Sequence, residues 1–227
     1  MMQSYSNLAE SIREEPAENS NKLFILFGGK NNGFGIPPFE FVNSLKILNH
    51  HKIFLRDFYQ NWYHCGLKGH TSDIPETVSL LAERIREINP QETILIGNSM
   101  GGFAAILFAK LIGGNCKAVA FAPQTFINPI KRFQLKDKRW NREIIKTYYN
   151  SLLRKKYFDL SKLDRAGGEW SARIFVSSRH RLDRLHARNI AHFPQIAVKE
   201  FDYDSHRLVK KLRDEGKLAG IIDPDFN

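Results

Sequence analysis

Ile94-Leu95-Ile96-Gly97-Asn98-Ser99-Met100-Gly101-Gly102-Phe103-Ala104-Ala105 is the stretch that decides how this chain is read. An apolar run stops at a glycine, a serine follows, and two more glycines lead into an alanine-rich apolar pattern. Residues 93–96 read as a buried strand. Residues 100–112 read as a helix that Gly113-Gly114 stops. Between them, Gly97-Asn98-Ser99-Met100-Gly101 fits G-x-S-x-G, the spacing of a serine raised on a sharp strand-to-helix turn. Glycines flank such a serine because side chains there would collide with strand and helix. The plainer alternative is a glycine-rich turn that serves packing or phosphate binding. Against it, the stretch lacks the lysine of a P-loop and the register G-x-G-x-x-G.

Outward from this turn, strand and helix alternate. Residues 22–27, 52–57, 117–121, 173–177 and 196–201 read as strands, most of them short apolar runs. Helices are predicted over 39–48, with Phe41, Leu45 and Leu48 on one face, and over 73–88, capped by Asp73. Two more are predicted, over 184–191 and 205–215. Runs without polar alternation argue for a mainly parallel sheet flanked by helices on both faces, an α/β fold. Residues 1–21 are polar and acidic and read as a frayed arm or short surface helix ahead of a single domain at 22–227. After Pro123 the rhythm changes. Residues 124–168 form a basic, aromatic insertion, with Trp140, Ile144, Ile145, Tyr148, Tyr149, Leu152 and Leu153 at helical spacing.

Bulk properties narrow the function classes. The 227 residues carry 34 Lys and Arg against 24 Asp and Glu, a net charge of +10, which favours acidic partners or substrates. Zinc-finger, RNA-binding and basic-zipper patterns are lacking, so specific nucleic-acid binding is not expected. No apolar run reaches the roughly 18 residues of a membrane span. The N-terminus lacks the basic and apolar regions of a secretory signal, and the two cysteines, Cys65 and Cys116, suggest no disulfide framework. A cytoplasmic protein is expected. His64, Cys65 and His70 lack a fourth ligand for a metal, and neither metal nor cofactor is expected.

With Gly97-Asn98-Ser99-Met100-Gly101-Gly102 at the end of a strand, the chain resembles the α/β-hydrolase superfamily from Lys22 to about residue 215. It would be a short version, with Lys22–Phe27 corresponding to that family's third strand. The resemblance implies that Ser99 is a nucleophile and that a base follows the last strand, where Asp202-Tyr203-Asp204-Ser205-His206 puts His206. His180, His186 and His192 are competitors that read as surface or cap residues. An acid is implied after the strand at 173–177. Asp183 is the only acid between Glu169 and Glu200, with a helix N-cap as its other reading and Asp202 and Asp204 as alternatives. Oxyanion donors are implied at the Met100 N–H and the Gly29 N–H, with Lys30 the alternative to Gly29. Relatives carry His-Gly where this chain has Phe27-Gly28.

Lys30 and, after the second strand, Arg56, Gln60, Trp62 and Tyr63 leave from the same sheet edge as Ser99 and are candidates to line a substrate site. The competing reading is structural, with Arg56 paired to Asp57 and Trp62 packed under the insertion. The insertion stands where this family often places a cap. Its cations, Lys131 to Lys156, suit either solvent or an anionic, even carrier-bound, acyl substrate. The implied activity is a serine hydrolase for a carboxylic ester or thioester. An acyltransferase using the same acyl-enzyme, or a non-catalytic binding module on this fold, are the alternatives.

Overall fold

The computed structural model describes residues 10–31, 35–150, 156–163 and 169–226. Seven strands form one sheet: β1 (Ile12–Glu15), β2 (Lys22–Phe27), β3 (His51–Leu55), β4 (Glu92–Asn98), β5 (Cys116–Phe121), β6 (Trp170–Ser177) and β7 (Ile196–Phe201). Their spatial order is β1-β3-β2-β4-β5-β6-β7, parallel throughout except for β1, which runs antiparallel beside β3. The α/β class read from the sequence is therefore observed.

Strand periodicity divides the core in two. Leu23, Ile25 and Phe27 of β2 point to one face, and Phe24 and Leu26 to the other. The first face is covered by α1 (Ile74–Ile88), α2 (Met100–Ile112) and α5 (Arg181–Ile190). The second is covered by residues 41–48, α6 (Leu208–Asp214) and α7 (Leu218–Ile222). Toward α2, β5 presents Cys116, Ala118 and Ala120, small side chains that let the helix lie close to the sheet. Asp73 caps α1 as expected, accepting the Glu76 N–H at 2.8 Å.

Three expectations are corrected. Residues 12–15 are a strand, not part of a frayed arm or surface helix; Arg56 N donates to Ser11 O at 3.0 Å and the β1–β3 ladder continues from there. Residues 39–48 form successive turns instead of a helix. Phe41 takes a left-handed φ of 67°, which interrupts the helical ladder just after Pro37-Pro38, yet Phe41, Leu45 and Leu48 are buried as their spacing predicts. The helix predicted over 205–215 is the shorter α6, and a further helix that was not predicted, α7, follows it after Gly216 at φ 70°.

The insertion holds α3 (Pro129–Gln134), α4 (Asn141–Asn150) and a 3-10 turn at Leu160–Lys162. Ile144 is buried, Trp140 and Tyr148 pack against the first core, and Ile145 and Tyr149 are exposed. Leu152, Leu153, Arg154 and Lys155 lie outside the described residues, as do residues 1–9 of the arm.

The junction of β4 and α2 depends on missing side chains. A β-carbon on Gly97 would overlap the Gly101 carbonyl, and one on Gly101 would overlap the Phe27 carbonyl. Gly97→Ala is therefore expected to lower stability by about 3 kcal/mol or more in urea unfolding, as an overpacked core site does. Gly220→Ala, in α7 with nothing within 4 Å of the added carbon, is expected to be neutral or slightly stabilising. Equal effects at the two positions would contradict this account.

Candidate active site

β4 delivers Ser99 to the C-terminal edge of the sheet, and α2 begins at the next residue. Ser99 has φ 53° and ψ −109°, a conformation that costs a non-glycine residue about 1–3 kcal/mol and persists only when the surroundings impose it. Here they do. Ser99 N donates to Phe121 O at 2.9 Å, while Ser99 O accepts from Phe103 N at 3.1 Å and from Gln124 N at 3.2 Å. The turn is thus tied to β5, to its own helix and to the start of the insertion.

His206 follows β7, and its imidazole spans the gap between two other elements. Nε2 lies 3.1 Å from Ser99 Oγ, and Nδ1 lies 2.8 Å from Asp183 Oδ1. Asp183 stands in the first turn of α5 and is 1% exposed. Three residues spread over a span of 107 positions therefore meet in one hydrogen-bonded row. With Nδ1–H directed at the carboxylate, Nε2 presents its lone pair to the serine hydroxyl.

Asp183 is also held by groups that the sequence reading did not place there. His180 Nδ1 lies 2.9 Å from Oδ2, and Arg139 Nη1 donates to Oδ1 at 3.3 Å. His180 is the α5 N-cap, with Nδ1 3.4 Å from Asp183 N. Burial by itself would raise the Asp183 pKa. The His206 hydrogen bond, with the charges of His206, His180 and Arg139, outweighs burial and holds it below the usual carboxylate range. Asp183 is not the helix cap; its Oδ1 meets the His206 and Arg139 side chains, while its buried Oδ2 makes no hydrogen bond among the described residues.

His186 was read as a surface or cap residue and is instead buried. Its Nε2 is 3.0 Å from Asp137 Oδ2, and the same carboxylate accepts from Arg132 at 2.9 Å and Arg139 at 3.0 Å. Burial pushes the His186 pKa down to about 4, against the pull of Asp137, so the ring is neutral near neutrality. This network fastens the insertion to α5 and sets Arg139 between Asp137 and Asp183. Lys131 is likewise engaged, with Asp159 at 2.7 Å. Part of the basic run is therefore internal structure, while Lys136, Lys138, Arg142 and Lys146 remain exposed.

A cavity of about 780 Å³ opens over Ser99 and His206. Gly29, Lys30, Glu40, Asn98, Arg139 and Trp140 contribute to its wall. Gly29 and Lys30 of the expected set thus reach the site. Lys30 Nζ sits 5.2 Å from the Trp140 ring and 4.0 Å from Glu143; burial lowers its pKa against the pull of Glu143 and Asp57. Met100, the first residue of α2, has an N–H with no carbonyl one turn earlier in its own helix.

Arg56, Trp62 and Tyr63 do not line this cavity. Arg56 is buried, donating to Glu10 O at 2.6 Å and Pro37 O at 3.1 Å between the Phe39 and Phe58 rings. Trp62 is fully buried, and its Nε1 donates to Gln124 Oε1 at 3.0 Å, under the first residues of the insertion. Tyr63 OH donates to Gly28 O at 3.0 Å, a contact that orders the loop carrying Gly29 where Phe27 has no polar group to offer. Gln60 lines a separate cavity of about 320 Å³ that shares Lys30 with the first, and its Oε1 accepts from Asn31 N at 2.7 Å. The cause of this inward packing is Asp57. Its carboxylate accepts from Tyr59 N, Asn61 N and Tyr63 N at 2.9, 2.7 and 3.0 Å, and Gln60, Trp62 and Tyr63 all take left-handed φ around it.

Glu40, Asn98 and Arg207 are wall residues for which the sequence offers no site role, whereas Trp140 belongs to the stripe expected to face the pocket or the body. A signal for Glu40 was present: an acid between Phe39 and Phe41, both at positions that pack against the core. The ligand atoms of His180, Asp183 and His206 lie within 4.8 Å of one another. They are committed to mutual contacts and to Ser99, an arrangement suited to proton transfer. Among the described residues, no helix is long and apolar enough to cross a membrane.

No protein-family model and no curated protein matches the chain. Solved structures do. The capsule O-acetyltransferase of Neisseria meningitidis serogroup A superposes with a TM-score of 0.66 at 13% identity, covering 91% of this chain and 90% of that one. BioJ, a Francisella virulence factor, gives 0.63 at 14% identity, covering 93% and 79%. MenH from S. aureus gives 0.56 at 14% identity, covering 96% and 99%. The chain has the fold of the α/β-hydrolase superfamily.

Asp137→Ala would leave the Arg132 guanidinium, 2% exposed, without its carboxylate partner. The expected loss is about 3–5 kcal/mol of unfolding free energy. The Asp137 pKa is depressed: burial opposes this, and His186, Arg139 and Arg132 bring it about. The stabilisation is therefore present above the ordinary carboxylate pKa and is lost as pH falls. The difference between wild type and variant should shrink in acid, and a difference that grew would contradict the assignment.

Proposed function

We propose that this protein is a serine hydrolase that cleaves a carboxylic ester or thioester through an acyl-enzyme on Ser99. The observation that carries the reading is the row Ser99–His206–Asp183, at 3.1 and 2.8 Å, on a serine held at φ 53°. His206 Nε2 takes the Ser99 proton as Oγ attacks the acyl carbon. Asp183 holds the ring in the tautomer that leaves Nε2 free and stabilises the imidazolium that forms. The oxyanion is held by the Met100 N–H, at the N-terminus of α2 where negative charge is favoured, and by the Gly29 N–H, which is directed at Glu40 until the substrate oxygen arrives. The leaving alkoxide or thiolate receives the proton from His206, and water repeats the sequence on the acyl-enzyme.

Acyl transfer to a hydroxyl or amine acceptor is the second reading. It is favoured by a cavity of about 780 Å³, large enough to admit an acceptor beside the acyl group. The similarity to a capsule O-acetyltransferase is in keeping with it. In either case Lys30, Arg139 and Arg207 on the cavity wall suit a polar or anionic substrate, free or presented by a carrier. Localisation in the cytoplasm belongs to the same proposal.

Hydrolysis of 4-nitrophenyl acetate by wild type and Ser99→Ala tests the nucleophile. The expected loss of kcat/KM is about 10³-fold or more, with an unchanged fold by circular dichroism. A variant within about tenfold of wild type would remove Ser99 from the mechanism. Added acceptor alcohols distinguish the two readings: an acylated acceptor indicates transfer, and free acid alone indicates hydrolysis.

A further inference from the structure

Glu40 has no part in the relay of Ser99, His206 and Asp183, yet it stands on the wall of the same cavity. The Gly29 backbone N–H is directed at its carboxylate, and a β-carbon built on Gly29 would lie 2.7 Å from Glu40 Oε1. Gly29 is also where the substrate oxygen needs a donor. An acid in that corner matters because its two protonation states act in opposite directions. A carboxylate repels a developing oxyanion strongly in surroundings of low dielectric, whereas a carboxylic acid offers it one more O–H donor.

The groups around Glu40 set which state is present. From the loop after β2, Lys30 is turned to Trp140 and Glu143. Arg139 of the insertion is bound to Asp137 and Asp183, and His180 and His206 lie against Asp183. Asp204 pairs with Lys211 at 3.2 Å, and Arg207 lines the cavity beside it. Behind Gly28, the Tyr63 phenol is raised by burial and by the Asp57 and Glu40 charges. Glu40 is half-buried on the cavity wall, and the loss of water around its carboxylate prevails, pushing its pKa up to about 7 with the Gly29 N–H pulling the other way.

We propose that Glu40 is a further catalytic residue of this site, a carboxylic acid whose O–H donates to the developing oxyanion beside the Gly29 N–H. The proposal rests on the serine hydrolase reading. As the Oγ–carbon bond forms, the Ser99 proton passes to His206 Nε2 and the carbonyl π pair moves onto oxygen. The Glu40 proton is shared with that oxygen and stays on Glu40. On collapse the pair returns to the carbonyl, the bond to the leaving group breaks, and the leaving group takes the proton from His206. Ionised Glu40 has no proton to donate and instead competes for the Gly29 N–H.

The test is the pH dependence of kcat/KM for 4-nitrophenyl acetate, from about pH 5.5 to about pH 9, for wild type, Glu40→Gln and Glu40→Ala, with Ser99→Ala as the blank. Wild-type activity is expected to decline above about pH 7. Glu40→Gln keeps an N–H donor without the ionisation and should lose that decline. Glu40→Ala should also lose it, and at about pH 6 should be roughly tenfold or more slower than wild type. If Glu40→Gln does not fold, Glu40→Ala still reports the alkaline limb. A decline that survives in either variant, or an alanine variant as fast as wild type at about pH 6, would overturn the proposal while leaving Ser99 in place. Wild type no faster than Ser99→Ala would overturn the hydrolase reading and this inference together.

A second readout does not depend on turnover. Because the folded-state pKa is raised above the ordinary 4.5, the unfolded chain ionises first as pH rises toward about 7, and native stability declines across that window. The melting temperature of Glu40→Gln relative to wild type should therefore rise between about pH 5 and about pH 8. A constant difference would show that Glu40 does not hold its proton in the folded protein.

Discussion

The rest of the structure depends on one close approach, that of the β4–α2 turn to the strands on either side. Ser99 can hold φ 53° only because Gly97, Gly101 and Gly102 leave room for backbone where side chains would stand. Gly101 lies against the Phe27 carbonyl, and Gly102 would place a β-carbon 3.1 Å from Pro123. These contacts draw together the ends of β2, β4 and β5, which carry Gly29, Ser99 and the start of the insertion. The strain at one residue is thus maintained by the packing of three strands and a helix, and it sets the hydroxyl in front of His206.

Asp183 is the electrostatic counterpart of that turn. Its carboxylate is buried and would be costly to ionise there without compensation. Compensation comes from His206, His180 and Arg139, which belong to the loop after β7, the α5 cap and the insertion. One carboxylate therefore couples His206 to the segment that walls the cavity. Arg139 extends the coupling to Asp137, and through it to His186 and Arg132. Displacement of the insertion would change the charge around Asp183 as well as the shape of the site.

Local patterns made most of the frame legible in the sequence. The boundaries of α1, α2 and β2 follow from Asp73, from Gly113-Gly114 and from the apolar run Leu23 to Phe27. Ser99 is legible from its strand–turn–helix setting, whereas the loops of Asp183 and His206 are what the resemblance implies, and the structure brings the three side chains together. What stayed hidden depends on contacts between distant residues. Arg56, Trp62 and Tyr63 leave the same sheet edge as Ser99, and only the three N–H bonds to Asp57 turn that loop inward. His186 resembles any surface histidine until Asp137 is brought to it across 49 positions. Phe41 carries the apolar spacing of a helix, but its left-handed φ breaks the ladder that such spacing assumes.

The central claim is that these contacts make Ser99 an activated nucleophile. Intact mass after incubation with a fluorophosphonate, on wild type, Ser99→Ala and His206→Ala, tests it most directly. The account predicts one covalent adduct on wild type, none on Ser99→Ala and greatly slowed labelling of His206→Ala. A folded wild type that takes up no adduct, or one labelled equally well without Ser99, would contradict it.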